Sequence, residues 1–466
     1  MQISILQGAY TSTSPDFRVS YPVNMCPIAQ GNGISAGYLR PGEGIDTVAT
    51  GPGVDRGGIT WLGVHYRVMG GQFVHVDENG SITQLGAIAG TAPCIFDYGF
   101  DRLVIAGGGN LYYWDGGALN RVTDPDLGVV HDVVWVDGYF MTTDGASLVV
   151  TELNDPTAVN PLKYGSSEAD PDPVLGLFKI RNEVYALNRH TIELFSNTGG
   201  SGFPFQRVEG AQVMKGVVGT NMATILQDVM AFVGSGRNES IGVHVATNGQ
   251  SQKISTEEID RILSEYSEDD LADGLCESRL VDGRTLLYIH LPDMCLVYDA
   301  TASKAFENQI WYTLTSTTTL LGFQKYQARG FVLAHGKWWA GDPTSYKLGR
   351  MTTEHANHHG VRVRWEFGTQ IVYNAGKGAI VFGLELSCLT GRATSDAQVS
   401  TSYSTDGITW SQPKFCRVGA YGDRLKRIQW LQNGHMRNWR IQRFQGDSSA
   451  FISVARLEAQ VEPMGF

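Results

Sequence analysis

The sequence predicts an all-β protein: a β-propeller of about seven small four-stranded blades with one inserted helix, followed by a C-terminal β-sandwich. Three observations predict it. Short apolar runs bounded by turn residues recur in groups of about four, every 30 to 40 residues. Fifty-six glycines are scattered through the chain, roughly 12% against a usual ~7%, and they fall between the apolar runs, as tight turns require. Beyond residue 360 the pattern sharpens into strict alternation, the mark of half-buried antiparallel strands.

Residues 1–50 read as an N-terminal arm with the first strands, and 51–354 as the propeller. Its first unit is 58–62, 66–69, 73–76 and 82–85, broken by Gly70-Gly71 and by Glu78, Asn79 and Gly80. The second is 94–98, 103–105, 111–114 and 118–122, with breaks at 107–110 and 115–117. Further units follow at 133–150, 176–195, 223–245, 286–298 and 320–348. They share a pattern but no motif, so one large sandwich-like β protein is the alternative.

The inserted helix is expected over 254–266. Ser255 and Glu258 have capping-box spacing, and Ile254 can staple onto Ile259. Ile259, Ile262, Leu263 and Tyr266 then share one face. Ser267 to Asp270 offers a second cap, for a short turn ending at Gly274. Residues 355–360 read as a linker, and 361–466 as the sandwich. There Val361, Val363, Trp365 and Phe367 alternate with Arg362, Arg364 and Glu366, and Phe382, Leu384, Leu386 and Cys388 alternate with Gly383, Glu385 and Ser387.

Hydrophobic residues make up 42% of the 466 and charged residues 18%, the balance of a folded globular chain. The first fourteen residues hold no Lys or Arg and no long apolar block, so no signal peptide is expected. No apolar run reaches about 18 residues, so no membrane span is expected. The six cysteines (Cys26, Cys94, Cys276, Cys295, Cys388, Cys416) are far apart and read as small buried residues, not as a disulfide framework or zinc site. The net charge of −11 divides unevenly: 360–466 holds 13 Lys+Arg and 8 Asp+Glu, or +5, which leaves −16 for the remainder. An acidic body with a basic C-terminal domain implies two kinds of neighbour, and is not the make-up of a general nucleic-acid binder.

No motif announces chemistry. His355, His358 and His359 could ligate a metal, and an exposed linker accounts for them as well. The run from Ser404 to Trp410, with Asp406-Gly407 at its centre, resembles the Asp-box turn of sialidase-like propellers. It is one residue short and occurs once, so an Asp-Gly hairpin explains it. Gly107, Gly108 and Gly109 lack the Lys-Ser/Thr of a phosphate loop, and carboxylates such as Asp170, Asp172, Asp269 and Asp270 sit in polar turns. No catalytic, cofactor-binding or metal-binding residue is therefore assigned, and no cofactor. The one candidate surface is basic: Arg417, Arg424, Lys426 and Arg427 around one Gly-rich turn, and Arg437, Arg440 and Arg443 after a second. Either it is a solvated rim or it meets DNA phosphates or an acidic protein.

Four groups of residues resemble the packaged-DNA stabilisation proteins, the tail hub or head-completion proteins, of short-tailed bacteriophages. The first is Tyr21 to Met25 with Gly37 to Gly42, Gly44 and Ile45. The second is Asn154 to Pro156, Ser167 to Asp172, Thr191 to Phe195 and Gly202 to Phe205. The third is Ile254 to Thr256 with its helix, and the fourth runs from Leu271 to Gly274 through Ile289 to Pro292 to Leu296 to Ala300. The resemblance covers nearly the whole chain and is weakest in the C-terminal domain. It implies a structural virion protein and not an enzyme: a ring of about six copies below the portal and its adaptor. Such a ring closes the DNA channel, retains packaged DNA and carries tail spikes, fibres or a needle. It also implies location in the virion tail, after synthesis in the host bacterial cytoplasm. A propeller-type carbohydrate-cleaving tail protein and a receptor-binding adhesin are the competing readings; they demand a pocket of acids and aromatic rings, or binding of glycan by the isolated protein.

Overall fold

Alternating apolar runs joined by two-residue turns can only pair with their neighbours, and in the computed structural model they do so seven times. The structure describes residues 2–6, 8–10, 18–31, 33–168, 170–200, 202–319, 322–374 and 377–464; Leu320 and Leu321, expected to open the seventh unit, Ala169 of the second family-like group, and parts of both termini lie outside them. Blade 1 is Asp55–Trp61, Val64–Met69, Gln72–Val76 and Ile82–Ala87, paired antiparallel in order. Blades 2 to 6 repeat this, opening with Ile95–Tyr98, Asp132–Val136, Val174–Ile180, Ala223–Leu226 and Leu275–Val281, and blade 5 adds the short strand Gly216–Val217 beside Val229–Ser235. Blade 7 takes three strands from Arg329–Ala334, Lys337–Gly341 and Lys347–Thr352, and its outermost strand, Gly44–Thr50, from the chain before blade 1. The first strands of the blades adjoin in succession, and that of blade 7 meets that of blade 1, so the ring is closed.

Turn chemistry sets the blades. At Asp137-Gly138 both residues have positive φ (48° and 89°), the type I′ geometry whose twist suits a hairpin and which Gly adopts without strain. The second strands are mostly buried, and Leu103–Gly107 wholly so, because each blade is covered by a neighbour on both faces. The interleaf of blades 1 and 2 is aromatic: Phe73 meets Trp114 at 5.6 Å and stacks on Tyr66 at 5.4 Å.

Acids and one arginine fasten blade to blade. Asp97 of blade 2 accepts from the Trp135 amide (2.6 Å), Asp132 of blade 3 from Leu177 (2.7 Å), and Glu277 of blade 6 from Gly330 and Phe331 (3.0 and 2.8 Å). At the closing seam Arg67 forms a two-pronged pair with Asp55 (2.6 and 2.7 Å) and donates to the Gly330 carbonyl of blade 7 (2.8 Å). Both partners are buried, and a Cβ on Gly341 would lie 2.1 Å from that of Asp55, so glycine is required there.

Among the described residues three helices interrupt the strands, where one helix and a short helical turn were expected. Helix α1 (Glu257–Ser264) buries Ile259 and Leu263 as expected, but its cap is Thr256. Ser255 is occupied elsewhere, accepting from the Val243 amide and donating to Asp260. Helix α2 (Glu268–Ala272) has the full capping box of Ser267 and Asp270. Helix α3 (Ala300–Phe306) was not expected; Asp299 caps it by accepting from the Ala302 amide at 2.8 Å.

The C-terminal domain is a sandwich whose core stacks Trp365 on Phe367 and Phe367 on Phe444. One sheet orders Arg364–Gly368, Trp439–Asp447, Gln398–Ser404 and Lys414–Arg417; the other orders Met25–Ala29, Gly37–Pro41, Ser453–Pro463, Ala379–Leu389 and Ile428–Leu431. Met25–Ala29, Gly37–Pro41 and the short strand Gln2–Ile3, which pairs with Ser453–Pro463, thus come from the N-terminal arm. The expected inward run from Phe382 slips at a bulge between Val381 and Gly383; Val381, Leu384 and Leu386 point inward and Phe382 is exposed.

The sandwich docks on the outer edge of blade 6. Val23 exchanges backbone hydrogen bonds with Glu366 of the sandwich, and the Asn24 amide and Pro22 carbonyl bond Thr313 of blade 6. Residues 355–360 are not an exposed linker. His358 is buried against the Ser316 hydroxyl (2.7 Å), His359 meets the Thr47 hydroxyl and His355 meets Asp46, each at 2.9 Å. Burial pulls the His358 imidazole down to about 3.

Candidate interaction surface

The seven basic residues singled out in the sequence divide into four groups by what they touch. Arg440 does not belong to the surface. It shares the inner face of its strand with Gln442 and Phe444, is buried, donates to the Asn433 carbonyl (2.6 Å) and Gln442 (2.7 Å), and lies 3.8 Å from the Tyr403 ring centroid. Loss of water pulls its pKa down to about 10. Alternation put it opposite Trp439 and Ile441, but that opposite face is the core. Arg443 is half-buried and stacks on Trp410 at 3.9 Å, with burial lowering its pKa. Arg427 pairs with Glu385 (2.8 Å), which holds the carboxyl below its usual range.

Arg417, Arg424, Lys426 and Arg437 remain exposed and form no ion pair among the described residues. Arg417 ends an edge strand, and the loop after it carries Arg424 and Lys426 back to the neighbouring edge strand of the other sheet. In that loop Tyr421 and Leu425 are 85% and 94% exposed, far beyond what chain geometry requires. Beside it lies a cleft of ≈ 620 Å³ lined by Ile34, Tyr38, Arg40, Leu389, Lys426 and Arg427. Apolar side chains rimmed by cations have the make-up of a protein-docking surface. Sequence reasoning found the cations and missed the apolar partners. Tyr421 and Leu425 were visible as large side chains in a polar loop, whereas Ile34 and Tyr38 are brought in from almost 400 residues away.

The remaining candidates are structural. Asp406 accepts from the Ile408 and Thr409 amides (2.9 and 2.8 Å), a self-satisfied turn that presents Trp410 to Arg443. The three histidines bond to three different partners, as above.

A family model for the β-propeller of bacteriophage P22 Gp10 matches residues 1–356, and one for its β-sandwich matches 364–462. The chain belongs to the bacteriophage P22 Gp10 family. The family relationship accords with the resemblance read from the sequence and with the propeller-then-sandwich order. A curated member, the tail hub protein gp10 of Salmonella phage P22, is 27% identical over 436 residues, covering 89% of each chain. Two solved structures are among those with similarity to the chain. The N-terminal domain of Nup159 has a TM-score of 0.41 at 8% identity, covering 72% of this chain and 99% of its own. The Neurospora crassa Pan2 WD40 domain has a TM-score of 0.42 at 8% identity, covering 65% and 89%. At those scores neither informs function.

Proposed function

We propose that the chain is a structural subunit of a phage tail hub, resident in the virion tail. Several copies, on the expectation six, form a ring below the portal and adaptor, close the DNA channel, retain packaged DNA and hold spikes, fibres or a needle. The observation that carries this reading is the end-to-end match to a protein named a tail hub, over 89% of both chains. The architecture supports it. A propeller closed by an N-terminal strand and braced by an edge-docked sandwich is a stiff block with broad faces, suited to a ring subunit. The reading assigns no catalysis: Asp97, Asp132 and Glu277 on the innermost strands are engaged as acceptors for the next blade's amides, an interlock in place of a reactive pair. The exposed cations Arg417, Arg424, Lys426 and Arg437 are the surface assigned to an acidic neighbour.

The test is reconstitution. Virion particles lacking this protein should gain several copies per particle when the purified chain is added, and should then stop leaking DNA. Particles that keep their DNA without it, while the added chain stays free, would overturn the hub reading.

A further inference from the structure

The acidity of the propeller is concentrated, and its place in the ring names what the basic sandwich surface meets. Between residues 88 and 173, which span blades 2 and 3, there are 13 Asp+Glu and 3 Lys+Arg, a net −10 within a chain of net −11. The same blades expose large apolar side chains. Phe100, in the turn between the first two strands of blade 2, is 78% exposed and meets Trp135 of blade 3 edge-on at 5.3 Å. Leu153, in the turn between the last two strands of blade 3, is exposed beside Gly138, whose added Cβ would come within 2.7 Å of it. Asp101, paired with its neighbour Arg102 (2.8 Å), Asp115 and Asp137 occupy the turns around them, and Asp155 opens the strand after the turn of Leu153. First-to-second and third-to-fourth turns lie at one end of an antiparallel blade, so these groups form one acidic, apolar-studded rim.

The basic counterpart lies across the disc. The sandwich is docked on blade 6, nearly opposite blades 2 and 3 in a ring of seven. Arg40, which lines its cleft, bonds Asp282 in the first-to-second turn of blade 6 (3.3 Å), which puts that side of the cleft at the same end of the disc. Within one chain the two surfaces cannot meet. Two different patches on opposite sides of one subunit generate a head-to-tail contact, which closes into a ring when the rotation between copies allows.

We propose that the occupant of the basic cleft and of the loop bearing Tyr421 and Leu425 is a second copy of this chain, which presents the rim of blades 2 and 3. The proposal rests on the ring reading above and names the contact within it. Leu425 and Tyr421 supply the apolar anchor toward Phe100 and Leu153, and Arg424 and Lys426 face the acids around them.

The test uses two full-length variants whose altered side chains are exposed: R424E/K426E in the sandwich and D101K/L153K in the blades. Sedimentation of the purified wild-type chain should reveal self-association, and each variant alone should associate at least tenfold more weakly, because like charges then face one another. Mixing the two restores association, since each variant's altered patch now matches the other's. A wild type that stays monomeric, variants that associate normally, or a mixture without rescue would each overturn the contact. L425A tests the apolar anchor without a charge change and should also weaken association. The hub reading fails separately, in the DNA-retention assay, so loss of this contact with retention intact discards the interface alone.

Discussion

Replacement of Asp55 by Ala should open the propeller at its seam. The carboxylate holds Arg67 through two hydrogen bonds of 2.6 and 2.7 Å, and Arg67 in turn holds the blade 7 carbonyl of Gly330 at 2.8 Å. Neither side chain is appreciably exposed, at 0% and 4%. In Asp55→Ala the guanidinium is left in the interior without its counter-charge, for which breaking a buried pair costs about 3–5 kcal/mol. At ~2 °C per kcal/mol for a chain of this size, the thermal midpoint should fall by roughly 6–10 °C. Urea unfolding followed by tryptophan fluorescence would measure the free energy, and calorimetry the midpoint. The double variant Asp55→Ala/Arg67→Met removes the stranded charge and should recover at least half of the loss, because an apolar replacement of a whole buried pair is often neutral. A single-variant loss below ~1 kcal/mol, or a double variant no more stable than the single, would refute the seam argument.

Three further outcomes follow from the buried polar groups. Burial pushes the Asp132 carboxyl up to about 7, above its unfolded value, so its contribution is present at acid pH and is lost as pH rises through 7; the urea midpoint should fall from pH 5 to pH 8, and Asp132→Asn should flatten that slope. His358 has the opposite sign: held at about 3 in the fold, it contributes stability above the ordinary histidine range that is lost as pH falls toward 3, and His358→Gln should flatten the acid limb of the same titration. Arg440→Ala should cost about 2 kcal/mol or more, by stranding the Asn433 carbonyl and Gln442 in the core, whereas Arg437→Ala should stay within ~0.5 kcal/mol; equal costs in chemical denaturation would contradict the inward placement of Arg440.

Local pattern carried most of the fold. Hairpin turns such as Asp137-Gly138 and the two-residue alternation of the sandwich announce pairing with the next strand, so blades 1 and 2 could be read strand by strand. The units expected at 133–150, 176–195, 223–245 and 286–298 fall within blades 3 to 6 and leave out one or two strands of each. Helix α1 was legible from Ile259 and Leu263, although competition for Ser255 moved its cap by one residue. What sequence could not carry was pairing at a distance. Nothing local in Met25–Ala29 or Gly37–Pro41 says that they join strands beyond residue 378, nor in Gly44–Thr50 that it completes blade 7. The same blindness hid the candidate surface's apolar half. Alternation assigned Arg440 to a face without saying which face was inside, and the histidines of 355–360 looked like a polar connector because their partners, Asp46, Thr47 and Ser316, are remote.

The placement of those early strands has a consequence for synthesis. Gly37–Pro41 adds to a sheet whose central strand, Ser453–Pro463, leaves the ribosome more than 400 residues later. At 5–20 residues per second, roughly 20–80 s separate the two. Gly44–Thr50 likewise waits for Lys347–Thr352 before the ring of blades can close, and the sandwich is completed only after Ser453–Pro463 follows. A chain stopped before Lys347–Thr352 would therefore present unpaired strand edges at both domains, and one stopped between there and Ser453–Pro463 at the sandwich alone.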